Sequence, residues 1–435
     1  MNDHKELKGI GKASRLEWRE HWPLVIAASL SAGVVNSHFY AFGVFVKPLS
    51  EATGWSRGEI SLIQIVYAAA TILLGPLVGI LADRVGPRKL AISGMISYCL
   101  CIAAYSQVKH DVYVYYILGL LNASAALFCN ATILTMAVSQ RFHAALGLAL
   151  AITLAGSGMY AGMIVPVLAT ALINTFDFRI AYIGLGLVGA LLTVPLLIFF
   201  FDRRSKALVA QQTALTRADY TQANLRKTLG GRYFWRIGLS AFLIQVGTTG
   251  LLGHFIPALT DIGMKPSSAA GLAAAIGMTS LVCRIGAGAL LDRFHAPLVG
   301  SVCFLAPLFA CMMLLLAQID LRLVFVAAPL LGLAVGAEVD IIYYMLVRYV
   351  GRSNYGLNFS MIYGLSGLGT GVGVSAAGLI YDQFGSYNIA LYLFMGTSAL
   401  ATMLIATLGS YPTPTAPSKL MDEARARPAN LATLD

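Results

Sequence analysis

Twelve apolar stretches, each long enough to cross a lipid bilayer, occupy most of this chain. A helix rises 1.5 Å per residue, so about 20 apolar residues span the hydrocarbon core. The sequence therefore predicts an all-α membrane protein, because with only 11% charged residues it cannot cover a water-facing surface. The stretches lie near residues 22–47, 59–82, 89–107, 112–138, 144–172, 178–201, 234–259, 268–291, 298–317, 321–349, 354–380 and 387–409.

A single long polar stretch divides these segments into two groups of six. The other connections are short turns, and the tail is rich in Pro, Thr and Ala, a composition typical of disorder. We therefore predict five regions in chain order. They are an N-terminal segment at 1–21, a six-helix bundle at 22–201, a linker at 202–232, a second six-helix bundle at 233–410 and a disordered tail at 411–435.

The distribution of basic residues predicts the orientation of the chain. Most of the 30 Lys and Arg residues lie in the N-terminal segment, the even-numbered connections, the linker and the tail. Cytoplasmic loops carry such an excess, so both termini and the linker are expected in the cytoplasm. Short external connections favour a bacterial inner membrane. The odd-numbered connections hold only Lys47, Arg57, Lys109, Arg179, Lys265 and Arg322.

Several classes of function are disfavoured by what the sequence lacks. The net charge of +10 is scattered through loops, so we expect membrane lipids and not nucleic acid as contacts. The six Cys residues show no metal-ligand spacing, and we expect no cofactor or metal. There is no nucleophile–base constellation for an enzyme and no phosphate-binding glycine loop for an ATP-driven pump. We expect a monomer.

The two groups of helices repeat each other's motifs. The stretch from Gly79 to Gly86 after the second segment reads Gly-Ile-Leu-Ala-Asp-Arg-Val-Gly, and Gly288-Ala-Leu-Leu-Asp-Arg follows the eighth. His38-Phe39 in the first segment is matched by His254-Phe255 in the seventh. Duplicated halves around a central site are typical of secondary transporters, so two pseudo-symmetric six-helix bundles are expected.

The first of these loop motifs resembles the signature of the major facilitator superfamily. It reads Gly-x-x-x-Asp-Arg-x-Gly-x-Arg-Lys from Gly79 to Lys89 and stands between the second and third of twelve segments. The resemblance implies the major facilitator fold and a gating role for the motif, which in the family stabilises the outward-facing state. The residues that match are Asp83, Arg84, Gly86, Arg88 and Lys89, with Asp292 and Arg293 as a less complete second copy.

Within that superfamily, the stretch from Arg141 to Gly158 is similar to a helix-5 signature of monocarboxylate porters and oxalate–formate antiporters. In those relatives an arginine of the eighth helix binds the substrate carboxylate, and Arg284 stands at that position. Two departures are visible. The porters have an aspartate where this chain has Ser280, and residues 354–380 lack the lysine of the oxalate antiporter.

Three charged side chains fall well inside the predicted segments. Counting from the nearest segment end, Arg284 and Asp340 both lie about 12 Å into the membrane and Glu338 about 15 Å. Unpaired charges at such depth are costly and commonly mark substrate or proton routes. The equal depth predicts an ion pair between Arg284 and one of the acids. The alternative is a structural pair that only holds the eighth and tenth helices in register.

The chemistry of these groups suggests a mechanism. The planar, permanently charged guanidinium of Arg284 matches a carboxylate, and a neighbouring acid that gains a proton would release it for substrate. We take Asp340 as the first choice for that proton acceptor and Glu338 as the second. The prediction is a secondary active transporter of a small, possibly aromatic, monocarboxylate, with proton-coupled uptake. The alternatives are a carboxylate exchanger, an efflux pump or a non-transporting sensor.

Other polar side chains in the segments are candidates for contact with substrate. His38 and His254 occupy matching places, and a histidine can bind substrate or relay protons. A neutral histidine bonded to a neighbouring helix is an equally good interpretation. For the remaining residues, a hydrogen bond between helices is the alternative. These residues are Tyr40, Asn122, Asn130 and Tyr343.

Overall fold

The computed structural model describes residues 2–139, 141–142, 145–201, 230–291, 293–351 and 355–412. Over these residues it contains twelve helices that are long and apolar enough to span a membrane, and no strand. The predicted all-α, twelve-helix membrane architecture is therefore confirmed. Asp292, residues 202–229 of the predicted linker and residues 413–435 of the predicted tail lie outside the described residues.

The first six spans form the N-terminal half. The second, fourth and fifth are interrupted, and Ser157–Ile164 is a π-helical segment within α5. The bounds are α1, Asn2–Thr53; α2, Arg57–Ser61 and Ile63–Val85; α3, Pro87–Ala104; α4, Val112–Phe128 and Ala131–Ser139; α5, Leu146–Gly156 to Val165–Thr175; and α6, Phe178–Phe200. Helix α1 already begins at Asn2, so it runs through the boundary predicted at residue 21.

The other six spans form the C-terminal half. The bounds of the second half are α7, Arg232–Asp261; α8, Pro266–Leu291; α9, Ala296–Leu316; α10, Val324–Tyr349; α11, Tyr355–Phe384; and α12, Asn388–Ala406.

The same packing plan is used twice. In the first half α1 packs on α5, α2 on α4 and α3 on α6, and in the second half α7 packs on α11, α8 on α10 and α9 on α12. The halves meet where α2 contacts α11, α5 contacts α8 and α1 contacts α7. The sequence repeats thus correspond to two pseudo-symmetric six-helix bundles.

Glycines let α5 approach helices of both halves closely. A Cβ atom added to Gly156 would lie 1.8 Å from the carbonyl oxygen of Ser29 in α1. A Cβ atom on Gly162 would lie 2.8 Å from Cα of Gly277 in α8. Only glycine permits such backbone contact, which is the small-residue packing that membrane helices use.

Candidate functional site

The register between α8 and α10 is fixed by small residues. A Cβ atom on Gly336 of α10 would lie 2.2 Å from the carbonyl oxygen of Ser280 in α8. Gly332, one turn earlier, packs in the same way on Ile276. Because α8 and α10 advance together, the residues one turn beyond this contact face each other. These are Arg284 and Asp340, one of the two acids that the depth argument offered as partners of Arg284.

Arg284 and Asp340 form an ion pair inside the membrane-spanning region. Nε of Arg284 lies 3.4 Å from Oδ2 of Asp340, and it donates a hydrogen bond of 3.3 Å to the carbonyl oxygen of Gly336. The two side chains remain 30% and 38% exposed. Both contacts use Nε, so the terminal guanidinium nitrogens are not engaged by either. The pair is therefore positioned to accept a carboxylate from outside the protein.

Glu338 lies beside this pair in a different environment. Its side chain is buried at 3% exposure, and its Oε2 atom has no hydrogen-bond partner among the described residues. The positive charge of Arg284 and the side chain of Thr248 in α7 both stabilise the charged form of its carboxyl group. Tyr40 of α1 interacts electrostatically with both Arg284 and Glu338. The candidate site thus joins three helices of the C-terminal half to α1.

His38 and Asn122 are engaged inside the N-terminal half. His38 Nδ1 lies 3.0 Å from the carbonyl oxygen of Val35, and its ring stacks on Tyr67 with centroids 4.2 Å apart. Asn122 accepts a hydrogen bond from the Tyr67 hydroxyl and donates one of 3.1 Å to the carbonyl oxygen of Tyr98. The adjoining cavity of about 40 Å³ has room for only about two or three water molecules.

Two further predicted contacts have structural partners. Asn130 accepts a hydrogen bond of 3.2 Å from the backbone N–H of Ile133, and so caps the second segment of α4. Tyr343 of α10 stacks on Phe359 of α11 with ring centroids 4.0 Å apart. The described contacts do not join either residue to Arg284, so their role in substrate binding stays a prediction.

His254 lies at the contact between the two halves. Its Nδ1 atom is 2.9 Å from the hydroxyl of Tyr387, and Nε2 is 3.0 Å from both the Ser61 hydroxyl and the Val374 carbonyl oxygen. Ser61 belongs to α2 of the first half, whereas the other two partners belong to the second. His38 and His254 therefore have different surroundings, although they occupy matching positions in the two halves.

A second ion pair joins the halves at the ends of α2, α7 and α11. Arg57 donates hydrogen bonds of 2.6 and 2.9 Å to the carboxylate of Asp261 and one of 2.8 Å to the Tyr387 hydroxyl. Asp382 accepts hydrogen bonds of 2.9 and 2.8 Å from the backbone N–H groups of Arg57 and Gly58. We call Arg57, Asp261, Asp382 and Tyr387 the distal lock.

The distal lock is the largest feature that sequence reasoning missed. Arg57 entered that reasoning only as a marker of membrane topology. The opposite charges of Arg57 and Asp261 at equivalent loop positions were a usable signal, but their pairing needs the packing of two halves. Burial raises the pKa of the Tyr387 phenol, and the nearby Arg57 guanidinium opposes that shift. The phenol therefore stays neutral and accepts from Arg57.

The predicted gating motif is described only in part. Gly86 precedes α3 with a φ of 90°, a left-handed conformation that glycine adopts readily. Arg88 donates a hydrogen bond to the carbonyl oxygen of Ile198 at the end of α6, and Lys89 is exposed. Arg293 lies in a turn after α8 and is also exposed. The side chains of Asp83 and Arg84 lie outside those that the structure describes.

A larger cavity lies between the halves, on the side of α1, α5 and α7. Its volume is about 600 Å³, and it is lined by Lys47, Asp177 and Thr260 among others. That volume is within the range of pockets that hold small organic molecules. Over the described residues there is no group of three or more His, Cys, Asp or Glu side chains that could hold a metal ion.

Comparison with known proteins places this geometry in a family. Residues 25–336 match the family model described as Major Facilitator Superfamily. Monocarboxylate transporter 13 of Rattus norvegicus is 25% identical over 400 residues, covering 88% of each chain. Monocarboxylate transporter 2 of Homo sapiens is 22% identical over 400 residues, covering 87% of this chain and 82% of the relative. The crystal structure of a D-xylose–proton symporter superposes with a TM-score of 0.70 at 12% identity, covering 90% of this chain and 98% of that one.

Proposed function

This chain belongs to the major facilitator superfamily and is a membrane transporter, and we propose that it carries a small monocarboxylate by proton-coupled uptake. The similarity to monocarboxylate transporters over most of the chain agrees with the resemblance of its helix-5 motif. The observation that carries the proposal is the partly exposed Arg284–Asp340 pair inside the membrane-spanning region. A permanent cation there needs an anionic partner.

Substrate recognition would rest on Arg284. Its guanidinium presents parallel N–H donors that match a carboxylate, and only Nε is engaged by Asp340 and Gly336. A substrate carboxylate can bind the terminal nitrogens while Asp340 holds the other edge. Tyr40 would contact the same ligand from α1, because Arg284 lies within electrostatic range of its phenol group. The tyrosine ring suits an aromatic or other apolar acid.

Proton coupling would balance the charge of the site. A bound carboxylate adds a negative charge to a region that already holds Asp340 and Glu338. Burying that extra charge is costly unless a proton enters with it. One of the two acids is therefore the coupling group in this proposal. Uptake follows when the proton and the substrate must both be bound before the site changes sides.

Alternating access would be a movement of the two halves against each other. The predicted halves at 22–201 and 233–410 meet through α2–α11, α5–α8 and α1–α7. The distal lock fastens the α2–α11 contact at one end, and it must open in the other state. With both termini in the cytoplasm, as the basic residues predict, the distal lock is extracellular.

The test is uptake of radiolabelled carboxylates into proteoliposomes, with and without an imposed pH gradient. The panel holds acetate, lactate, benzoate and phenylacetate, with glucose and choline as uncharged and cationic comparisons. We expect at least one monocarboxylate to accumulate above its external concentration when the exterior is acidic. Transport of only sugars or cations would overturn the proposal. Carboxylate movement that responds only to internal carboxylate, and not to pH, would show an exchanger.

A further inference from the structure

Glu338 and Asp340 are two residues apart on α10 but have different surroundings. Side chains two positions apart on a helix point about 200° from each other. Asp340 is 38% exposed and holds the Arg284 guanidinium at 3.4 Å. Glu338 is 3% exposed and has an unpartnered Oε2 atom. The two acids are therefore unequal candidates for binding a proton.

We propose that Glu338 carries the coupled proton, while Asp340 remains the counter-ion of Arg284. The inference rests on the proposed function, and it reverses the sequence-based order of preference, in which Asp340 was the first choice for the proton acceptor and Glu338 the second. A buried carboxyl group must be paired, hydrogen-bonded or neutral. Asp340 satisfies that requirement through its ion pair, whereas Glu338 satisfies it when a proton makes the carboxyl group neutral.

Thr248 of α7 contributes a second buried polar group near Glu338. The side chain is fully buried at 0% exposure, and its hydroxyl has no hydrogen-bond partner among the described residues. It lies near the Glu338 carboxyl group across the α7–α10 contact, where it can stabilise the charged form of that group. A hydroxyl can donate to a carboxylate and accept from a carboxylic acid, so it serves both protonation states. Thr248 is thus a positioning residue for the proton site.

The groups that face Glu338 explain how the proton and the substrate would communicate. Arg284 of α8 attracts the ionised carboxyl, and the phenol of Tyr40 lies within electrostatic range from α1. A substrate carboxylate at Arg284 adds a negative charge beside Glu338 and favours its protonation. Substrate and proton therefore promote each other's binding, as linkage requires.

The site fits a proton better than a metal cation. Hard metal cations in proteins commonly take about six oxygen ligands. The described side chains supply the carboxyl of Glu338 and the hydroxyl of Thr248, and Asp340 is turned to Arg284. A proton needs one oxygen and no coordination shell. Replacing sodium by choline in the uptake buffer should therefore leave pH-driven accumulation unchanged, and a strict sodium requirement would overturn the proposal.

The deciding experiment compares Glu338→Gln with Asp340→Asn in proteoliposomes preloaded with a transported carboxylate. Glutamine keeps the size of Glu338 in its neutral form, so exchange of labelled for unlabelled substrate at equal pH should be impaired much less than accumulation. Accumulation driven by a pH gradient should fall to the equilibrium level. Asp340→Asn should keep gradient-driven accumulation while changing the apparent affinity. Glu338→Gln with wild-type accumulation, or with exchange lost as well, would overturn the assignment.

A milder variant covers the case in which Glu338→Gln does not fold. Thr248→Val keeps the shape of the side chain and removes the hydroxyl that acts on Glu338. We expect the pH of half-maximal uptake to rise, because the charged form of the acid loses a donor. An unchanged pH profile would contradict the proposal. If wild type moves no carboxylate at all, the proposed function fails first, and this result separates the two proposals.

Discussion

At the scale of single residues, the proposed substrate binding depends on Arg284. Its guanidinium lies 3.4 Å from Asp340 and is 30% exposed, so it is both held and reachable. Lysine at this position would keep the charge but not the planar pair of donors. A lysine at position 284 therefore tests whether substrate binding needs the planar donors of the guanidinium or only its positive charge.

We expect Arg284→Gln to weaken concentrative uptake strongly and Arg284→Lys to weaken it less. Hydrogen bonds to charged groups contribute about 1.5–3 kcal/mol, so loss of the guanidinium should raise the apparent KM by about 10- to 150-fold. Initial uptake rates over a substrate series measure this. Arg322→Gln, which removes an exposed charge in a connection, is the matched control and should behave as wild type. Normal uptake by Arg284→Gln would remove this residue from the site.

Predictions about single residues succeeded where the depth of the residue in the membrane was enough to make them. Counting helical rise from segment ends was sufficient to predict that Arg284 pairs with an acid of α10, and the structure identifies that acid as Asp340. The environments of Glu338 and Thr248 could not be read in that way, because burial depends on how α7, α8 and α10 rotate about their axes. The same limit applies to His254, whose partners Ser61 and Tyr387 are distant in the chain. Depth is one-dimensional, whereas burial needs all three dimensions.

At the scale of helices, the backbone contact between α5 and α8 links the two halves. A Cβ atom on Gly277 would lie 2.5 Å from the backbone carbon of Gly162. The glycines of α5 do not by themselves identify the helix they pack on, because any small residue of a facing helix would serve. The structure identifies that partner as Gly277, seven residues before Arg284.

Gly277→Ala should destabilise the protein and slow transport, because backbone atoms cannot move aside for the new methyl group. Overpacking of this kind costs about 1–3 kcal/mol. Gly286→Ala on the same helix is the control, since a Cβ atom there meets nothing within 4 Å. Apparent Tm in detergent and initial uptake rate should fall for the first variant only. Equal behaviour of the two variants would contradict a tight α5–α8 contact.

The distal lock makes a second prediction at this scale. The Arg57–Asp261 pair is 10% and 24% exposed, so its members should be energetically coupled. A double-mutant cycle of Arg57→Gln and Asp261→Asn should show a coupling of about 1–3 kcal/mol, read from apparent Tm. The pair of Arg179 and Asp177, 3.9 Å apart and about half exposed, should show almost none. Strictly additive effects at Arg57 and Asp261 would refute the lock.

At the scale of the whole molecule, the orientation in the membrane decides which state the distal lock closes. The distribution of Lys and Arg predicts cytoplasmic termini. We expect Lys109→Cys, in the connection between α3 and α4, to react with an impermeant maleimide in intact cells. Arg293→Cys, after α8, should react only after permeabilisation. The parent protein is the background control, and the reverse pattern would invert the topology.

The number of helices and the two-fold repeat were predictable because they depend on composition and on motifs within each half. The contacts between halves were not. Arg57 and Asp261 are 204 residues apart, and nothing local in either loop specifies the other. Such pairs follow from the packing angle of two bundles, which many small interactions determine together.

The charges in the middle of α8 and α10 also have an electrical consequence. With Glu338 ionised, Arg284, Asp340 and Glu338 sum to one negative charge in the empty site. One carboxylate anion together with one proton leaves that sum unchanged. A charge that crosses the membrane exchanges about 2.3 kcal/mol per 100 mV with the field. A cycle whose loaded and empty forms carry equal charge moves no net charge, so the membrane potential does not change how far the substrate accumulates. A potassium diffusion potential set with valinomycin should therefore leave the accumulation ratio unaltered at fixed pH gradient, and an accumulation ratio that follows the voltage would show a different ratio of protons to substrate.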